Sequence, residues 1–288
     1  MFYVQILLNG LMLGGLYACI AVGFSLVWGV LNVINIVHGS FVVLGSYVAY
    51  FAWVHLGLHP FASIIIAGAL LFVLGYLTQR GLINRVMGAP VLTTLVLTFG
   101  LELLLNNSML VAFTADYRTV RLENPMGSAP LGDLIIPLDR LFAMALAILL
   151  TAILYFVLIR SRMGKAIVAV RMDREAAALM GVNVKHVYAL TFGIGAFMAG
   201  AGGSLLSLIF PISPLNSTEF LGIAFVVCVL GGLGSIGGAL IGGLALGVIE
   251  SFGALFFGPE HGLTIAFVIL ILLLIFKPTG IMGRKGYE

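Results

Sequence analysis

Charge is what this chain has least of: Lys, Arg, Asp and Glu make up 9% of its 288 residues, against roughly 25% in an ordinary soluble domain. Residues 1–79 contain none, and across residues 186–276 the only charged side chains are Glu219, Glu250 and Glu260. A water-facing surface needs far more, so a soluble enzyme and a disordered chain are both excluded. Cysteine is almost missing as well. Cys19 and Cys228 both stand inside apolar runs, which rules out a disulfide scaffold and makes a structural disulfide unexpected. Three of the histidines, His38, His55 and His59, come without the carboxylate or thiolate neighbours of a metal site, so no metal is expected. The opening residues 1–8 carry no basic stretch, and the apolar run that follows exceeds any signal-peptide core, so a membrane helix is expected there.

What fills the chain is apolar: 61% of it, with 37 glycines besides the large hydrophobics. Helices of that composition bury their outer faces in lipid and approach one another closely through the glycines. At about 20 residues per crossing, the length fits an all-α polytopic membrane bundle of about eight to nine transmembrane helices. Residues 1–288 then form one transmembrane domain. Spans are expected near residues 6–29, 39–56, 60–80, 89–113, 137–159, 187–210, 218–233, 236–257 and 262–276. Residues 30–39 read either as a connection between two crossings or as a re-entrant or broken helix, so eight and nine spans both stand.

The basic residues cluster. Arg80 and Arg85 form one group, Arg160, Arg162, Lys165, Arg171, Arg174 and Lys185 a second, and Lys277, Arg284 and Lys285 a third. Even numbers of spans separate successive groups, and short loops rich in Lys and Arg stay cytoplasmic, so all three are assigned to that side. A membrane protein with its C-terminus in the cytoplasm and its N-terminus outside follows. Between residues 114 and 140, Arg118, Arg121 and Arg140 are balanced by Asp116, Glu123, Asp133 and Asp139, which suits the outer side.

Catalytic motifs are missing: there is no H-E-x-x-H, no G-x-S-x-G and no paired intramembrane aspartates, so an intramembrane enzyme is not expected. No G-x-x-x-x-G-K-[ST] occurs either, so this chain has no phosphate cradle of its own. No cofactor and no nucleic-acid partner are expected. Gly232, Gly234 and Gly237 satisfy G-x-G-x-x-G without the strand or the acidic partner of a dinucleotide site. The better reading is a packing face of Gly234, Gly238 and Gly242, spaced by four, with a flexible or broken helix as the other. Asn32, Asn35 and His38 with Gly39 put polar side chains at membrane depth, where they either hydrogen-bond between helices or line a substrate path. Glu102 and Glu250 are the deepest carboxylates, each either paired or facing an aqueous cavity.

Residues 160–185 form the longest loop on the basic side. Within it Asp173 suits an N-cap, Arg174, Glu175, Ala176, Ala177, Ala178, Leu179 and Met180 are helix formers, and Gly181 suits the C′ position. Ala176, Leu179 and Met180 would form a small apolar face without lipid to cover it, either a docking surface or part of a loop that only sets topology. Asp173 to Ala177 followed by Gly181, after Gly164-Lys165-Ala166, resembles the cytoplasmic coupling segment of the branched-chain amino acid permeases of ABC importers. Three further stretches are similar to that family: residues 32–39 (NVINIVHG), 229–243 (VLGGLGSIGGALIGG) and 277–283 (KPTGIMG). The first of these points to the H-type subunit rather than its M-type paralogue. Glu102, after Thr98-Phe99-Gly100-Leu101, departs from the small polar residue that the resemblance implies.

The resemblance implies a bacterial inner-membrane permease subunit that forms half of a translocation pathway for Leu, Ile or Val. It implies four kinds of company: a homologous second permease, two cytoplasmic ATPase subunits carrying ATP and Mg, an extracytoplasmic binding protein, and the bilayer. Urea or short amides are the alternative cargo within the family. A self-contained secondary transporter or channel for a small polar solute, with Glu102 or Glu250 carrying a coupling proton, is the alternative outside it; such a carrier needs no docking helix.

Overall fold

The computed structural model describes residues 2–120, 127–131, 134–277 and 279–282. Its first helix, α1 (Phe2–Leu31), runs for 30 residues, about 45 Å at 1.5 Å per residue. Apolar on every side, α1 has no face to turn to water, and from Gly10 onward nearly all of it is buried by other helices. The chain continues through α2 (His38–Leu56), α3 (Pro60–Gly81), α4 (Val91–Phe113) and α5 (Leu138–Arg160). Two short helices, α6 (Arg162–Met172) and α7 (Arg174–Leu179), precede α8 (Val184–Leu206), α9 (Ser217–Gly231), α10 (Ile236–Phe257) and α11 (Gly262–Phe276). Nine of the helical segments among the described residues are long and apolar enough to cross a membrane. The protein is thus an all-α, multi-pass membrane bundle. Helices α1 and α8 occupy its centre, with α2, α3, α9 and α10 packed on them, while α4, α5 and α11 leave most of their apolar surface outward.

Two ends of the bundle are chemically distinct. Gln5 donates to Ile135 O (2.7 Å) and accepts its N–H (2.9 Å), which ties the start of α1 to a short hairpin of β1 (Ser128–Leu131) and β2 (Leu134–Pro137). At the opposite end Asn84 donates to Lys185 O (3.1 Å), and Ile281 N–H donates to Leu230 O (2.9 Å), so the Arg80, Arg160–Lys185 and Lys277 groups share one end. Arg121, Glu123, Asp133, Pro278, Gly283, Arg284 and Lys285 lie outside the described residues. Among the described residues nine helices of crossing length run between these two ends, and residues 32–37 join the first two of them. The hairpin and α6 were not among the expected elements.

Small residues set the helix spacing. On α1, Gly10, Gly14 and Ala18 abut Gly243 and Gly247 of α10 so closely that side chains at those glycines would meet backbone. Of the three glycines expected on one face of α10, Gly238 and Gly242 face α9, where a Cβ would collide with the carbonyls of Gly231 and Val227. Gly234 departs from that expectation. It lies before the helix, because Ser235 is the N-cap that accepts from Gly238 N–H (3.0 Å), and its φ of +75° serves the tight turn at residues 232–235 while its Cα rests on Gly29. Gly237, by contrast, faces open space. Gly238→Ala is therefore expected to lower the thermal stability of the purified protein, whereas Gly237→Ala should leave it unchanged or raise it, since Ala is favoured over Gly in a helix by about 0.5–1 kcal/mol. Equal melting temperatures for the two variants would remove the packing assignment.

Candidate functional site

The break between α1 and α2 travels back into the bundle. His38, the first residue of α2, places Nε2 3.0 Å from Ile20 O, and Ile20 lies about three helical turns before the end of α1. Residues 32–35 form no regular element and residues 36–37 form a turn, with the His38 N–H bonded to Asn35 O (3.3 Å), so the connection carries the chain back from Leu31 toward that height. Asn32 begins the climb in the left-handed region (φ 51°), which Asn tolerates better than most side chains. Thr98 Oγ1 on α4 then holds Ile34 O (2.9 Å). α2 consequently starts in the middle of the membrane, with Val37 as an N-cap that supplies no side-chain hydrogen bond.

A second helix starts at the same depth. Ser217, the first residue of α9, donates from Oγ to Glu102 Oε1 (3.4 Å), and Glu102 lies midway along α4. Asn106 donates to the same oxygen, also at 3.4 Å. The N-cap of α9, Asn216, likewise contributes no cap hydrogen bond. The two helix starts touch: a Cβ at Gly39 would collide with Ser217 O, so only glycine permits the approach. The uncapped start of α2 presents free N–H groups and about half a positive charge, whereas α9 continues from a turn at Pro214–Asn216 whose Pro214 O accepts the Ser217 N–H, and it carries Glu219 in its first turn.

Around these starts the polar side chains are buried and under-used. Asn35 is 1% exposed, and neither atom of its carboxamide has a partner, although its backbone O accepts the His38 N–H. Ser40 Oγ and His38 Nδ1 are likewise buried without partners. Each such group forfeits about 1–3 kcal/mol relative to a satisfied one, so this arrangement stores a cost that another conformation or a bound polar group relieves. Among the described residues, no cluster of three or more metal-ligating side chains occurs.

Below this layer, toward the basic end, a cavity of about 460 Å³ opens, a size that suits a small molecule. Asn32 and Val33 of the break, Thr94 of α4, Tyr188 of α8 and residues 170–175 line it. Thr94 stands one turn from Thr98, so the cavity's inner end approaches the buried polar layer. Its outer wall is the loop that carries α7. Ser161 caps α6 by accepting from Gly164 N–H (2.9 Å), and Asp173 caps α7 by accepting from Glu175 N–H (2.9 Å) and Ala176 N–H (3.0 Å). Gly181, at φ 83°, closes α7 with bonds from its own N–H to Ala178 O and from Val182 N–H to Ala177 O. Ala177 faces inward. Leu179 and Met180 are 89% and 84% exposed at the basic end, beside exposed Ala176, Arg174 and Glu175.

Of the residues singled out from sequence, the structure brings Asn35, His38, Gly39 and Glu102 together. It separates Asn32, which lines the cavity, and Glu250, which accepts from Tyr17 OH (3.3 Å) at the junction of α1 and α10. Glu250 is thus paired through Oε1, while its Oε2 is buried without a partner. Ser217, Ser40, Thr98 and Tyr17 were not anticipated. Single Ser and Thr residues in apolar runs carry no signal of their own, although Ser40 directly follows the Asn-rich stretch.

Comparison with known proteins gives a consistent result. The family described as "Branched-chain amino acid transport system / permease component" matches residues 6–276. The chain is 34% identical over 303 residues to the high-affinity branched-chain amino acid transport system permease protein BraD of Pseudomonas aeruginosa, covering 99% of this chain and 97% of that one. It is 32% identical over 314 residues to the permease LivH of Escherichia coli, covering all of this chain and 98% of LivH. With the permease LivM of the same organism the identity is 24% over 291 residues, covering 93% and 68%. No solved structure matches the chain significantly.

Proposed function

The chain belongs to the branched-chain amino acid transport permease family, and from that premise we propose that it forms one half of the membrane pathway of an ATP-driven importer of leucine, isoleucine or valine. It is a transport subunit and not an enzyme. The observation that carries the importer reading is α7: a capped helix with Leu179 and Met180 in the open at the basic end, on the wall of the cavity that leads toward the buried break. A self-contained carrier has no use for such a helix. The three basic groups support a cytoplasmic assignment for that end, with the C-terminus cytoplasmic and the N-terminus outside.

In this reading two cytoplasmic ATPase subunits supply the energy, since no phosphate loop occurs in the sequence, and one of them seats α7. A homologous second permease closes the pathway, and an extracytoplasmic binding protein delivers the amino acid at the hairpin end. Closure of the ATPase pair pushes α7. Because α6 is anchored through Ile167 and Val170, that push is transmitted to the cavity wall and thence to the break. Substrate passes between the starts of α2 and α9, past Asn35, His38, Gly39 and Glu102, and leaves through the cavity beside Asn32. Gly238 and Gly242 keep α9 and α10 moving as one unit.

Affinity purification of this chain from its native membrane tests the proposal. ATPase subunits and a second permease are expected to co-purify, and leucine should raise ATP hydrolysis only when the binding protein is present. A chain that purifies alone and transports leucine in liposomes without ATP would establish the self-contained carrier instead.

A further inference from the structure

Glu102, Ser217, Gly39, Ser40 and Asn35 form a contiguous group, and the two sides of that group have opposite polarity. On one side is the uncapped start of α2, touching Ser217 of α9 through Gly39, with the unpartnered Asn35 carboxamide and Ser40 hydroxyl, both residues being 1% exposed or less. Free N–H groups at a helix start attract anions. On the other side is the Glu102 carboxylate, 8% exposed, joined to Ser217 Oγ. Neither α2, α4 nor α9 contains a Lys or Arg, so no cation on these helices neutralises it. A mid-membrane carboxylate without a cation on its own helices, one serine away from the start of α2, whose first turn holds no acidic residue, is matched by a ligand that carries both charges on adjacent atoms.

We infer that this group is the recognition site for the substrate's zwitterion, with the start of α2, Asn35 and Ser40 holding the carboxylate and Glu102 holding the ammonium. The inference rests on the permease reading above and adds to it the chemical feature that the permease itself selects. An apolar wall stands beside the site. Leu221 Cβ lies against Gly39, and the Phe24 ring sits 5.5 Å from His38 and 6.4 Å from the half-exposed Phe225 ring, which suits an aliphatic side chain. In this conformation the site is closed, since Asn35 and Ser40 are sealed from solvent. Admission of substrate requires α2 and α9 to part, and the same movement gives the orphaned polar atoms a partner. Glu102 is also the residue that departs from the small polar side chain the family resemblance implies, so ammonium recognition by a carboxylate is a property of this chain and need not extend to its relatives.

The test is direct binding to the purified complex without its binding protein, using tritiated leucine competed by unlabelled leucine or by 4-methylpentanoate, which keeps the carboxylate and the side chain but lacks the ammonium. Glu102→Gln should weaken leucine binding about tenfold or more, the loss expected of one charge-assisted hydrogen bond, and leave 4-methylpentanoate within about twofold. Glu102→Asp should restore part of the leucine affinity. Asn35→Leu should weaken both ligands alike. If Glu102→Gln lowers both ligands equally, the carboxylate is a packing group, and if it alters neither, Glu102 is not in the site; either result overturns the inference. Absence of saturable leucine binding to the wild-type complex overturns it too, yet leaves the permease reading intact if that complex still imports leucine with its binding protein and ATP.

Discussion

Leu179→Asp combined with Met180→Asp is expected to abolish uptake and to release the ATPase subunits from the purified complex. These two side chains are almost fully exposed at the end of α7, and a seated helix would bury both. Burial of one Leu or Met side chain is worth about 1.5–3 kcal/mol, so losing two weakens docking by about a hundredfold or more before the cost of burying carboxylates is counted. The membrane helices should be untouched, because neither residue packs against them. Two milder variants separate helix formation from docking. Gly181→Val forces a branched side chain into a left-handed conformation although nothing crowds the site, whereas Gly181→Asn keeps a residue that accepts it. The Asn variant should retain more coupling of ATP hydrolysis to transport than the Val variant. Glu175→Lys should uncouple as well, by removing a favourable charge from the helix start and altering the docking face. Subunit retention, ATPase activity and uptake need to be measured together. Undiminished uptake in the double aspartate variant, with the ATPase subunits retained, would falsify the docking role and return this loop to a topology signal.

Asn35→Leu is expected to do two opposite things: raise the melting temperature of the complex and lower uptake by about tenfold or more. The first follows from burial. Both carboxamide atoms are sealed and unpartnered, and replacing an unsatisfied polar group by an apolar one of similar size is neutral or stabilising. The second follows from the path, because Leu offers no hydrogen bond to a polar ligand and favours the closed arrangement over any open one. A merely structural asparagine would behave differently, since its loss would lower stability and uptake in step. Unchanged uptake per assembled complex would remove Asn35 from the pathway.

Much of this molecule was legible along the chain because lipid imposes a simple rule: backbone polar groups must be satisfied within each crossing, so long apolar runs are helices and basic clusters mark one end. The boundaries of nearly all nine spans follow from that rule within a few residues, and α7 was legible for a different local reason, since Asp173 and Gly181 cap it with their own atoms. Element starts that depend on neighbours were not. Gly234 shares the four-residue spacing of Gly238 and Gly242, yet Ser235 captures Gly238 N–H and sets the helix start after it. Spacing alone does not rank competing caps.

The candidate site shows the same division more sharply. Composition and order of residues determined that Asn32, Asn35, His38, Gly39, Glu102 and Glu250 lie in or beside membrane crossings, since a polar group in an apolar run has nowhere else to go. Only the tertiary structure decided which of them meet. Asn32 and Asn35 are three residues apart, but the chain between them is not helical and turns back into the bundle, so one lines the cavity and the other is sealed mid-membrane. Glu102 and Ser217 are 115 residues apart and share a hydrogen bond, while Glu250 is drawn to Tyr17 of α1. Depth and partnership arise from how far each helix is inserted and which glycine lets two backbones touch. Those quantities are set by contacts between distant segments, and no local pattern of residues encodes them.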